Sequence, residues 1–201
     1  MLFHFHYWTP HVEETETFYL AQGFRVQQRI GREDGEFQSY DPPLDWNDFR
    51  GRPIMFRIIE MRRGRVNVTF GYGKRVKFDH IGFFVVKEEL EHICQKAESL
   101  KWNVRSNERR TFISTPYGFQ IELQQHQDIF DAKVHSQISS MEIQAEENDF
   151  EKELNYLFGS AMNISITQNS SAALKKVGIS GLDSAGGIDP NGVLLVCENK
   201  G

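Results

Sequence analysis

The feature that most constrains this chain is a repeat of order rather than of identity. An alternating strand, an amphipathic helix and a run of further strands recur with a period of roughly 50–75 residues. Residues 2–8, LFHFHYW, set Phe3, Phe5 and Tyr7 against His4, His6 and Trp8. Strand side chains alternate between faces, so this is a half-buried strand with imidazoles opposite its apolar row. Thr9-Pro10 predicts an N-cap and a proline at the first helical position. Residues 12–22 follow as a helix, with Glu13, Glu14 and Glu16 complementing its dipole and Gly23 ending it. Strands are expected over 24–30, 54–61 and 65–72, the last two joined at Arg63-Gly64.

The order then restarts. Residues 77–85 read as a strand, 88–100 as a helix with an apolar stripe that includes Cys94, and 103–109, 110–114 and 119–124 as strands. After a polar connector over 125–137 comes a weaker third round. It predicts a strand over 138–145, a helix over 149–158 closed by Gly159, and short strands near 163–167, 174–178 and 193–197. Residues 31–53 break the regularity with turn formers, acidic residues, Tyr40, Trp46 and Phe49. A loop this long reads as a lid over a site or as an exposed disordered excursion.

Composition narrows the classes. At 201 residues the chain can bury a substantial core. A net charge of −5 argues against nucleic acid as a partner, and Arg62-Arg63-Gly64-Arg65 reads as a hairpin tip. No apolar run approaches a membrane span, and no signal-peptide pattern opens the chain. Two cysteines without a CxxC, Cys94 and Cys197, fit a reducing, cytoplasmic setting.

The chemistry-bearing residues sit on the polar faces of the strands. His80 lies within FDHIGFFVV, on a face with Gly82 and Phe84, opposite Ile81, Phe83 and Val85. Glu122 shares its face with Gln120 and Gln124, while Ile121 and Leu123 turn to the helix. Where the first and last strands of a round are neighbours, His80 and Glu122 meet, and a related round beside them adds His4 or His6. Two imidazoles and a carboxylate make a facial triad for Fe, Mn, Ni or Zn, whose open positions can polarise a substrate with two adjacent oxygens. Each of these residues alone is more commonly a hydrogen-bonded half-buried group than a ligand.

The module order and the run TPYGFQIEL resemble the vicinal oxygen chelate superfamily, which includes glyoxalase I, extradiol dioxygenases, fosfomycin-resistance enzymes and bleomycin-binding proteins. His4, Phe18-Tyr19 and Gly23-Phe24 match its opening, and Thr115-Pro116-Tyr117-Gly118 its turn before a ligand glutamate. The resemblance implies an α+β fold in which tandem βαβββ modules, 1–75 and 76–127, pair into a cup-shaped mixed sheet. Residues 138–201 would form a third, degenerate module, structural or at an interface, lacking a ligand His around Met141, Glu142 and Ile143. It implies a divalent metal held by His4, His80 and Glu122, with the fourth family position on Asn67. A pocket lined by His6, Trp8, Asn67, Phe84, Phe112, Gln120 and Gln124 would take a small-molecule substrate. Asn67 departs from the glyoxalase I set of two His or Gln plus two Glu. Phe112 stands where extradiol enzymes carry Tyr, and Asn103, Val104 and Arg105 where they carry an acid–base His. The expected function is a metal-dependent lyase, isomerase or ring-cleaving dioxygenase acting on an oxygen-rich molecule. The alternative is a non-catalytic binding or resistance protein of the same fold, and a homodimer is compatible with either.

Overall fold

A computed structural model describes residues 1–131, 134–146, 149–159 and 162–198, so the connector expected over 125–137 is described apart from 132 and 133. The first module runs β1 (Leu2–Thr9), α1 (Val12–Ala21), β2 (Arg25–Glu33), β3 (Glu36–Ser39), α2 (Trp46–Phe49), β4 (Met55–Arg63) and β5 (Val66–Tyr72). The second runs β6 (Lys77–Phe84), α3 (Lys87–Ser99), β7 (Asn103–Ser106), β8 (Arg110–Ser114) and β9 (Gln120–Gln124). After a 3-10 turn (Gln127–Ile129) come β10 (Gln137–Ala145), α4 (Phe150–Phe158), β11 (Ile164–Gln168), β12 (Ala173–Ser180), β13 (Gly186–Ile188) and β14 (Leu194–Glu198). Among the described residues no helix is long and apolar enough to cross a membrane.

The two modules form one sheet of nine strands, ordered β3-β2-β4-β5-β1-β6-β9-β8-β7. Each closes on its first strand: β1 runs parallel to β5, and β6 parallel to β9. The modules meet where β1 pairs antiparallel with β6, His4 opposite Gly82, Phe5 opposite Ile81 and His6 opposite His80. A pseudo-twofold axis through the Phe5–Ile81 pair maps His4 onto His80 and His6 onto Gly82. The two irregularities in this pairing obey the same axis. Phe3 is the extra residue between Leu2 and His4, and Asp79 the extra residue that shifts register beside His6 and Tyr7.

The sheet is strongly curved. Six strand spacings separate β4 from β7, about 29 Å if laid flat, yet Ile58 and Ser106 line one cavity. The convex face is covered. Phe5, Ile81, Phe83, Ile121 and Leu123 pack with Tyr19, Ile93 and Ala97 of the helices, in a cluster continuous with Met141, Phe150 and Val177 of the third unit.

Three expectations change in the structure. Helix α1 starts at Val12, and Thr9 ends β1 because its backbone stays paired opposite Tyr72. Its hydroxyl instead accepts the His11 N–H at 2.9 Å. Strand β7 stops at Ser106, short of 109. Residues 31–53 are neither a lid nor a disordered loop. They add β3 and a one-turn helix capped by Asp45, and they pack on α1, outside the cup. The cause is Arg29, 4% exposed, whose guanidinium pairs with Glu16 at 2.8 and 2.7 Å and donates to Tyr40 O (3.0 Å) and Leu44 O (2.8 Å). A buried guanidinium needs those acceptors, and meeting that need orders the loop. Trp46 adds its indole N–H to Glu16 at 3.1 Å.

The third unit departs from the module pattern in topology as well as in residues. Its five-stranded sheet is ordered β11-β10-β12-β14-β13, with β10 parallel to the strand that directly follows its helix. The Arg62–Arg65 tip clamps this unit to the first module. Arg63 is buried and donates to Gly23 O (3.1 Å), Ser136 Oγ (3.2 Å), Gly181 O (3.2 Å) and Asp183 Oδ2 (2.5 Å).

Candidate metal centre

The concave face meets itself along β1 and β6, and there the polar side chains of the two modules converge. His4 Nε2 lies 3.0 Å from His80 Nε2, while Glu122 Oε2 is 3.1 Å from His80 Nε2 and 3.8 Å from His4 Nε2. All three residues are at most 6% exposed. Gly82 makes room for this. A Cβ there would stand 2.7 Å from that of His4.

The other nitrogens of the two imidazoles are engaged with acceptors. His4 Nδ1 faces the backbone and side-chain oxygens of Asn67, both at 3.2 Å, and that amide donates its own N–H to Glu60 at 2.8 Å. His80 Nδ1 meets Asp79 Oδ2 at 3.0 Å. The proton of each neutral ring therefore sits on Nδ1, and the Nε2 lone pairs of both point at each other and at Glu122. Glu122 Oε2 has no hydrogen-bonding partner despite its burial. Three such acceptor atoms facing one another form a donor set that suits a shared cation. Ligands at ~2.1 Å from an octahedral ion lie ~3.0 Å apart, and from a tetrahedral ion ~3.4 Å; the two sides at His80 fit the octahedral spacing, and the His4–Glu122 side at 3.8 Å is wider than either.

The surroundings also set the charge of these groups. Burial would raise the Glu122 carboxyl, but His80, His4 and Arg110 outweigh it and bring its pKa down to about 2. Burial would lower His80, yet Asp79 and Glu122 leave it raised. His4 drops to about 3, mainly through burial and secondarily through His80 and Arg110. In other words, the carboxylates are ionised and draw a cation to the His80 side of the triangle.

His6 completes the floor. With His4 and His80 it offers ligand atoms all within 4.8 Å of one another. Its ring stacks on His80 with centroids 4.9 Å apart and planes 7° apart, Nδ1 meets Thr69 Oγ1 at 2.5 Å, and Nε2 is buried without a partner. Burial is the main reason its pKa lies well below the usual histidine range.

Of the residues expected around the pocket, His6, Trp8, Phe112 and Gln120 line a cavity of about 470 Å³. Asn67 and Gln124 line an adjoining one of about 310 Å³ with His4 and Glu122. Phe84 lines neither; it lies at the end of β6, its ring 5.1 Å from that of Phe130. The fourth position also moves. His6 pairs with Thr69 as Gly82 pairs with Glu122, so Thr69, rather than Asn67, is the mate of Glu122, and Asn67 is the mate of Gln120. Asp79 was missed in the sequence reading because parity puts it on the opposite face from its neighbour His80. The bulge turns it inward, where it also accepts the Trp8 indole N–H at 3.0 Å.

No family model matches this chain, and neither does any curated protein. Solved structures do. The trihydroxybiphenyl 1,2-dioxygenase of Sphingomonas wittichii aligns over 100% of this chain and 90% of its own, with TM-score 0.63 and 10% identity. A 2,3-dioxygenase from a Pseudomonas species covers 91% of this chain and 75% of its own at TM-score 0.61 and 14% identity. Homoprotocatechuate 2,3-dioxygenase from Brevibacterium fuscum covers 99% and 71% at TM-score 0.66 and 10% identity. The shared fold is that of the extradiol dioxygenases. At these identities the likeness is one of architecture.

Proposed function

We propose that this chain is a divalent-metal-dependent enzyme of the extradiol ring-cleaving type, acting on a small molecule with two adjacent oxygens. The observation that carries the reading is the triangle of His4 Nε2, His80 Nε2 and Glu122 Oε2, with sides of 3.0, 3.1 and 3.8 Å. Two imidazoles and one carboxylate on one side of an ion suit Fe(II), with Mn(II) next. Such an ion supplies Lewis acidity and open positions for a chelating substrate and dioxygen. A four-ligand isomerase site would need a carboxylate at the mate of Glu122, and Thr69 stands there.

The chain's own groups divide the remaining work. Asp79 fixes the His80 ring through Nδ1, and Asn67 fixes His4 in the same way. His6 lines the cavity and its Nε2 is buried without a partner; we assign it the role of the base toward a bound hydroxyl. This supports a function that neither Phe112 nor residues 103–105 could serve. Phe112 turns its ring edge-on to His80 at 5.3 Å and keeps that wall apolar.

The test is metal content of the purified protein beside His80→Ala, followed by oxygen uptake with catechols after anaerobic loading with Fe(II) or Mn(II). One ion per chain, lost in the variant, with substrate-dependent oxygen consumption, is expected. Negligible metal in both proteins overturns the reading in favour of a metal-free binding protein. Stoichiometric metal without oxygen uptake on any diol overturns the dioxygenase step.

A further inference from the structure

Resting on that reading, we propose that the substrate carries an anionic group, a carboxylate or a phosphate, beside its paired oxygens, and that Arg57 and Arg105 receive it from opposite walls of the cup. Arg57 projects from β4 of the first module and Arg105 from β7 of the second, and both line the 470 Å³ cavity whose floor holds His80. That volume suits one small molecule. Both side chains are exposed, and neither has a carboxylate within ion-pairing reach among the described residues.

The cavity's acidic groups are already committed. Asp79 is bound by His80 and the Trp8 indole, and Glu60 by Arg62 and the Asn67 amide. The mouth therefore presents uncompensated positive charge in a chain whose net charge is −5. A lone exposed arginine is ordinarily a solvated surface group. These two differ in being held in place. The Arg57 guanidinium lies 4.4 Å from the centre of the Trp8 ring, and Arg105 donates to the Gln120 amide oxygen at 3.0 Å. Neither contact neutralises the charge, and each leaves guanidinium N–H groups free for a planar oxyanion. Trp8 is itself tied to Asp79, which holds His80, so one rigid chain of contacts sets the spacing between anion receptor and metal ligand.

Calorimetric titration of metal-loaded protein with 3,4-dihydroxybenzoate and with catechol tests this. The carboxylated ligand is expected to bind about 10-fold tighter or better, as a charge-assisted bidentate contact would give. The advantage should vanish in the double variant Arg57→Gln/Arg105→Gln and shrink with added salt. Equal affinities, or an advantage that survives in the double variant, overturn the proposal. Benzoate and phenyl phosphate, each compared with phenol on metal-stripped protein, read the arginine pair without the metal. Preference for either anion supports the proposal and assigns its class, whether or not the metal reading stands; no preference for either refutes it.

Discussion

The pseudo-twofold axis invites a comparison of the two modules at the floor of the cup. Both place a histidine at the same register, and both carry a β-bulge just before it. The first module surrounds its histidine with neutral groups: Phe3 at the bulge, the oxygens of Asn67 and the hydroxyl of Thr69. The second supplies Asp79 at the bulge and Glu122 at the mate of Thr69. Symmetry of fold thus delivers two equivalent imidazoles, while asymmetry of residue concentrates the negative charge in one half. A cation held here is anchored by the second module and oriented by the first.

The strongest way to break that comparison is to remove the carboxylate of the triangle. Glu122→Ala should weaken metal binding by more than ~100-fold, beyond what a supporting residue costs. Inductively coupled plasma mass spectrometry on protein purified without chelators reads it directly. Retention of a full equivalent of metal would mean that the histidines alone, His6 included, define the site. Next in size is Asp79→Asn, which keeps the shape but not the charge that fixes the His80 ring. Metal affinity should fall roughly 10–100-fold, whereas Phe3→Leu, at the mate position, should leave it nearly unchanged in the same competition titration with a chromophoric chelator.

How much of this was legible in the sequence follows from what strand parity can and cannot carry. Alternation along one strand is written locally, so His4, His80 and Glu122 were placed on the concave face before any coordinates. Pairing between strands is not local. The bulge that turns Asp79 inward depends on β1 lying across from β6, and so does the two-residue shift from Asn67 to Thr69 on register with β5. Element order recurs in the third unit, yet strand order does not, because order along the chain does not specify which edges join. The excursion carried one readable sign, Asp45 three residues ahead of Asp48, a reciprocal cap that the structure forms. What could not be read was Arg29 reaching the carbonyl oxygens of Tyr40 and Leu44.

A third test acts on the packing that lets the two histidines meet. Gly82 is the mate of His6, and a methyl group there would press on the His4 Cβ at 2.7 Å. Gly82→Ala should destabilise the fold by about 1–3 kcal/mol, the usual cost of overpacking, and should displace His4 from the triangle. Urea unfolding gives the first quantity and metal titration the second. His6→Ala removes a ring from the same floor without crowding it, so metal should still bind. If Gly82→Ala binds metal normally, His4 is not needed in the ligand set.

The smallest expected effect belongs to Thr69, and it is the sharpest probe of the asymmetry. Its hydroxyl meets His6 Nδ1 at 2.5 Å and lies 3.4 Å from His4 Nε2. Thr69→Val keeps the shape and deletes the hydroxyl. Leaving a buried imidazole nitrogen unsatisfied should cost about 1–3 kcal/mol of stability, while metal affinity should stay close to that of the parent protein because no ligand atom is lost. Thermal unfolding and the chelator competition separate the two outcomes. Were Thr69→Val to lose metal as thoroughly as Glu122→Ala, both modules would supply an oxygen ligand, and the division into one anchoring half and one orienting half would have to be abandoned.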